Sequence, residues 1–109
     1  MGSWLLLAGA IVAEVIGTSL LKESEGFTRA LPTVVSLLAY GVAFFCLSLA
    51  IRHIDLGLAY AIWSGVGTAL IVLIAWVVFD QSLDWAALGG VGLIVLGVVV
   101  INAFSDIGP

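Results

Sequence analysis

Four long apolar blocks separated by short polar breaks make up nearly the whole chain, at about residues 4–21, 33–51, 57–79 and 85–104. Each is close to the roughly 20 residues that a helix needs to cross a hydrocarbon core about 30 Å thick. The pattern predicts an all-α membrane protein: one domain over residues 1–109 built from four transmembrane helices. The breaks carry helix-start and turn signals. In the first, residues 22–32, Gly26 suits a turn and Pro32 suits the first position of the second helix. Asp55 and Asp84 stand where they can cap the third and fourth helices. Links this short favour sequential antiparallel helices, and the tail from Ser105 to Pro109 reads as fraying.

Composition narrows the class further. With 63% hydrophobic residues, 9% charged and a mean hydropathy of +1.32, a soluble domain of this size would lack the polar surface to cover itself. The net charge of −4 comes mainly from loop acids such as Glu23, Glu25, Asp55, Asp80 and Asp84, which argues against nucleic acid as a partner. The lone cysteine, Cys46, can form no intrachain disulfide and no zinc framework. No nucleophile and base pair, metal cluster or phosphate loop is visible, so neither an enzyme nor a cofactor is expected. The first block lacks a basic flank and is interrupted by an acid, so it reads as a retained helix and not as a cleaved signal.

That acid, Glu14, changes the picture most. By helical rise it lies about 15 Å beyond Trp4, near the middle of the bilayer, and residues 4–21 contain no basic side chain. An ionised carboxylate there costs several kcal/mol, so the group must be protonated, wet, or paired with a cation from outside the chain. A proton-exchanging cation site needs a group of this kind. Helical spacing sets Leu7, Ala10, Gly17, Thr18 and Leu21 on or near its face; the small ones leave space beside the carboxyl, and Thr18 is placed to donate a hydrogen bond to it.

Aromatic faces accompany the acid. Tyr40, Phe44 and Leu47 share a face of the second helix, and Tyr60, Trp63 and Gly67 share one of the third. Ring quadrupoles attract positive charge while the rings bury hydrocarbon, so such faces suit bulky organic cations. Membrane aromatics also serve as belts and filler; Trp76 and Trp85, near span ends, fit that role, and Trp4 fits either. Gly65 and Gly67 are readable as a hinge in the third helix or as small-residue packing. On the fourth helix Ala86, Gly90, Leu93 and Gly97 form a stripe that lets backbones approach closely, within one subunit or between two.

Charge asymmetry gives almost no orientation signal. Four spans put Lys22 and Arg29 on one side and Arg52 with the amino terminus on the other, so the positive-inside rule exerts little pull. Either a weak bias sets one topology, or the chain inserts both ways round and pairs as an antiparallel homodimer. Size favours a dimer, because four helices rich in Gly and Ala enclose little volume while transporters set two related halves around a midplane site.

The runs A-E-V-I-G-T at 13–18, S-E-G-F-T-R at 24–29 and A-Y-A-I-W-S-G-V-G at 59–67, with the spaced glycines of the last helix, resemble the small multidrug resistance transporters in their quaternary-ammonium-exporting branch. The resemblance implies an antiparallel, dual-topology homodimer in the bacterial inner membrane that exchanges protons for lipophilic cations. It assigns the essential acid to Glu14, substrate-facing aromatics to Tyr40, Tyr60 and Trp63, secondary lining to Ala10, Gly17, Thr18 and Phe44, bending to Gly65 and Gly67, and dimer contact to Gly90 and Gly97. The chain departs from the family at Trp4, where a tyrosine is common and which counts with the binding residues, and in the D-Q-S-L-D loop, where a basic residue often stands. Three other functions stay open: a guanidinium exporter of the same family, one half of a heteromeric transporter, and a structural membrane subunit without transport.

Overall fold

In lipid a backbone must satisfy its own hydrogen bonds, and apolar blocks of spanning length do so as helices. The computed structural model describes residues 2–108, and these hold four: α1 (Gly2–Glu23), α2 (Ala30–Ala50), α3 (Leu56–Val77) and α4 (Trp85–Phe104). All four are long and apolar enough to cross a membrane, and there is no strand among the described residues. α1 and α2 start two and three residues before the apolar blocks do, since Gly2–Ser3 and Ala30–Pro32 already belong to the helices. The chain divides into two compact units, one ending at His53 with α1 and α2, the other beginning at Ile54 with α3 and α4.

In the first unit the seam is made of small residues. The buried positions of α2 are Ser36, Ala43 and Ala50, seven residues apart and therefore on one stripe, while α1 buries Leu7, Ala10, Ile11, Val15 and Gly17. Small residues on one helix facing larger ones on the other let the two axes come close, which is how helices gain van der Waals contact in lipid. Gly17 marks the tightest point: a Cβ there would stand 3.3 Å from the Ser36 carbonyl oxygen and 3.4 Å from Ala39 Cβ and Tyr40 Cδ2.

The connection from α1 to α2 is organised by Ser24, which is fully buried. Its hydroxyl donates to the Leu21 carbonyl at 2.6 Å and accepts from the Phe27 N–H at 3.2 Å, satisfying groups that the end of α1 leaves over. Gly26 has the positive φ expected of a turn glycine, +70°, but Glu25 and Phe27 flank it at +50° and +67°, a left-handed run that only the glycine adopts without cost. Arg29 Nη1 closes the turn onto the Glu23 carbonyl at 3.1 Å and the Glu23 carboxylate at 3.4 Å, a cation at the negative end of α1.

Three terminus expectations change. Pro32 is the third residue of α2, since the helix starts at Ala30; it is still within the first turn, where a missing N–H breaks no helical bond. Asp55 occupies the N-cap position of α3 but makes no side-chain cap bond, whereas Asp84 accepts from the Ala87 N–H at 2.8 Å to cap α4. The tail does not fray through Gly108: the Ile107 N–H donates to Ser105 Oγ at 3.3 Å and the Gly108 N–H to the Ser105 carbonyl at 3.0 Å. Pro109 lies outside the described residues.

The second unit is looser. Its close approach is at Gly65 on α3, where a Cβ would fall 2.5 Å from Val98 Cγ2 and 3.4 Å from Ile94 Cγ2 of α4. α3 runs unbroken through Ser64-Gly65-Val66-Gly67. α4 buries no residue, and a Cβ at Gly90 or Gly97 would meet open space. Its stripe of small residues therefore presents an uncovered face.

Candidate functional site

Glu14 stands on α1 between the buried Ile11, Val15 and Gly17, and is itself half-buried. One helical turn on, Thr18 Oγ1 donates to Glu14 Oε1 at 2.7 Å, the bond that four-residue spacing offers. The same hydroxyl lies 2.6 Å from Tyr40 Oη on α2. A hydroxyl has one proton to give. With Thr18 donating to the carboxyl, Tyr40 must donate to Thr18, and a polarised chain runs from phenol to hydroxyl to acid.

Beneath this chain, Ser36 Oγ donates to the Gly17 carbonyl at 2.7 Å. Ser36 is fully buried and was not singled out in the sequence. The signal was available: a lone hydroxyl in an apolar span needs a partner, and helical carbonyls are the acceptors at hand. Phe44 stacks on Tyr40 with ring centroids 6.4 Å apart and planes 22° apart, extending the aromatic face along α2. Ala10 is fully buried, and Trp4 is about one-third exposed near the start of α1 (37%).

The second unit carries its own aromatic pair. Tyr60 and Trp63 meet edge to face, centroids 5.6 Å apart and planes at 67°, the arrangement the ring quadrupoles prefer. Ser64 Oγ donates to the Tyr60 carbonyl at 2.7 Å, and Tyr60 is more than half exposed. The structure thus brings Glu14, Gly17, Thr18, Tyr40 and Phe44 together in the first unit, and Tyr60, Trp63, Gly65 and Gly67 lie along one stretch of α3 in the second. Among the described residues no three of His, Cys, Asp or Glu gather as a metal site would require.

A protein with four spans, no strand among its described residues, and an acid set at mid-helix against hydroxyls and aromatic rings is a small multi-pass membrane protein with a polar site inside the bilayer. The sequence profile of the Small Multidrug Resistance protein family matches residues 2–94. Over 105 residues the chain is 52% identical to the quaternary ammonium compound-resistance protein QacE of Escherichia coli, covering 96% of each chain. It is 50% identical over 107 residues to QacF of Klebsiella aerogenes, covering 98% of this chain and 97% of that one. With the multidrug transporter EmrE of Escherichia coli K12 it shares 49% identity over 109 residues, 100% of this chain and 99% of the relative. The chain belongs to the Small Multidrug Resistance family, whose members are transporters of the bacterial inner membrane and not enzymes.

Proposed function

We propose that this protein exports lipophilic and quaternary ammonium cations in exchange for protons, as an antiparallel homodimer in which each chain contributes one four-helix domain and one Glu14. The observation that carries the reading is the half-buried Glu14 carboxyl held by Thr18 in an apolar stretch, residues 4–21, without a basic residue. Such a group needs a positive partner or a proton, and both are what an antiporter exchanges. The names of the relatives support the substrate class: two are quaternary ammonium compound-resistance proteins and one is a multidrug transporter.

The residues divide the work by chemistry. Two carboxylates brought to one site repel each other, so proton or cation binding relieves the same charge and the two ligands compete. Thr18 and Tyr40 keep the carboxyl oriented. Tyr40, Phe44, Tyr60, Trp63 and Trp4 supply faces for the cation's hydrocarbon and charge, and Ala10 and Gly17 keep bulk away from the acid. Protons entering from the outer side displace the cation outward; deprotonation on the cytoplasmic side readies the pair again. Exchange of shape between two unlike subunits, with Gly65 and Gly67 as hinge, turns the access face round.

The test is proton release on adding tetraphenylphosphonium to detergent-solubilised protein. The unmodified protein should release protons and Glu14→Gln should release none, while in inverted vesicles Glu14→Gln should abolish proton-driven uptake of the cation. Unchanged release or uptake in the variant refutes the assignment. A guanidinium comparison arm separates the two substrate branches: the aromatic faces predict preference for the bulky cation.

A further inference from the structure

We infer that Ser36 is a positioning residue for the membrane acid: by holding the Gly17 carbonyl it fixes the separation of α1 and α2 at which the Tyr40–Thr18–Glu14 hydrogen-bond chain closes. The inference rests on the reading of Glu14 as the exchanging group, and adds a residue that touches neither proton nor substrate.

The geometry is that of a clamp one helical turn from the site. Ser36 and Tyr40 are four residues apart on α2, hence on one face, and Gly17 directly precedes Thr18 on α1. The Ser36 hydroxyl spans the two helices at 2.7 Å, and the next contact along the same seam is Thr18 to Tyr40 at 2.6 Å. Two short bonds between the same helices, a turn apart, share one interaxial distance; a hydrogen bond weakens within a few tenths of an ångström of this optimum. Gly17 permits the approach, since its ideal Cβ would already press the Ser36 carbonyl oxygen at 3.3 Å. Gly17 lets the helices come together and Ser36 holds them there.

The surroundings explain why one hydroxyl matters. Ser36 is fully buried, so its proton has no water to turn to, and the other buried residues of α2, Ala43 and Ala50, have no side-chain donor. Thr33 and Ser48 on the same helix donate to their own backbone, at the Arg29 and Phe45 carbonyls, and join nothing across the seam.

The experiment compares Ser36→Ala, Ser36→Thr and Ser48→Ala with the unmodified protein, and reads two quantities. One is the infrared carbonyl stretch of the protonated Glu14 carboxyl, identified as the band lost in Glu14→Gln, which reports the hydrogen bond that group receives. The other is the dissociation constant for tetraphenylphosphonium. Ser36→Ala should move the band and raise the constant by about threefold or more, the scale of one interhelical bond in a membrane; Ser36→Thr should restore both, and Ser48→Ala should change neither. If Ser36→Ala does not fold, Ser36→Cys, which fills the same space with a weak donor, takes its place with the same expectation. A band and constant unchanged in the donor-less or weak-donor variant overturn the inference, as does failure of Ser36→Thr to restore them. Because the band reads geometry and not transport, a moved band with no proton release from any variant would leave the clamp standing and sink the exchange function instead.

Discussion

Gly65 gives the sharpest test of how the second unit is held together, because two roles for it predict opposite results. In Gly65→Ala the new Cβ would stand 2.5 Å from Val98 Cγ2, roughly 1 Å inside ordinary carbon contact. Val98 cannot turn aside freely, since a β-branched side chain on a helix keeps essentially one rotamer. α3 and α4 must separate, and overpacking of this kind costs about 1–3 kcal/mol. Alanine returns about 1 kcal/mol in helix propensity, leaving a net loss of about 0–2 kcal/mol, up to roughly 30-fold in a folding equilibrium. Val98→Ala removes the methyl that the Cβ would strike, so the double variant Gly65→Ala/Val98→Ala should recover most of the loss.

The assay is equilibrium unfolding in mixed micelles followed by circular dichroism, run beside export of a quaternary ammonium dye. Close packing predicts that stability and export fall together in the single variant and return together in the double. A double variant that regains stability without regaining export would refute packing as the whole reason for the glycine, and assign it to bending. A single variant more stable than the unmodified protein, showing the propensity gain with no packing cost, would refute the close approach itself.

Other substitutions probe the remaining steps. Gly97→Leu, at an open position on α4, should leave the subunit's helix content unchanged and weaken the dimer; cross-linking yield at fixed detergent reads this, and an undiminished yield removes Gly97 from the interface. Tyr40→Phe keeps the stack on Phe44 and removes the phenol that donates to Thr18, so cation affinity should fall about threefold, the worth of one such bond; titration with tetraphenylphosphonium measures it, and no change would discount the chain. One lysine added to the D-Q-S-L-D loop should lock most copies in one orientation and lower export until an oppositely biased copy is co-expressed. Reporters on the C-terminus that show a single orientation before the change would end the dual-insertion idea.

What the sequence made legible follows from how strong each signal is. A run of apolar residues without water-facing positions has one solution in a bilayer, so four helices could be read directly, and their ends moved by only a few residues. Thr18 beside Glu14 was legible because the spacing within one helix is fixed. Contacts between helices were not. Tyr40 was placed on a face of α2, but nothing in the spacing says that its phenol reaches Thr18, and Ser36 looked like any small residue until the seam placed it opposite Gly17. The termini erred where competing groups decide: Ser24 stabilises a left-handed run around Gly26 that includes Glu25 and Phe27, which propensity alone disfavours.

The uncovered face of α4 bears on the proposed dimer in a way that composition alone does not. Exposed leucine or valine in a spanning helix is unremarkable, since lipid tails solvate it as well as protein does. Exposed glycine is different. Gly90 and Gly97 offer lipid little dispersion contact, and each forgoes about 1 kcal/mol of helix propensity relative to alanine. Within the α3–α4 unit nothing approaches either position, unlike Gly17 and Gly65, where a neighbour stands within contact. The two inner glycines are accounted for by what they touch, and the two outer ones lack an equivalent neighbour within the α3–α4 unit. A second copy whose helix lies against that stripe would supply it, because close backbone approach is the gain that small residues offer between helices in lipid. In the proposed exchange the same copy would bring the second carboxylate, so on that reading the α4 stripe and the mid-span acid of α1 call for one and the same partner.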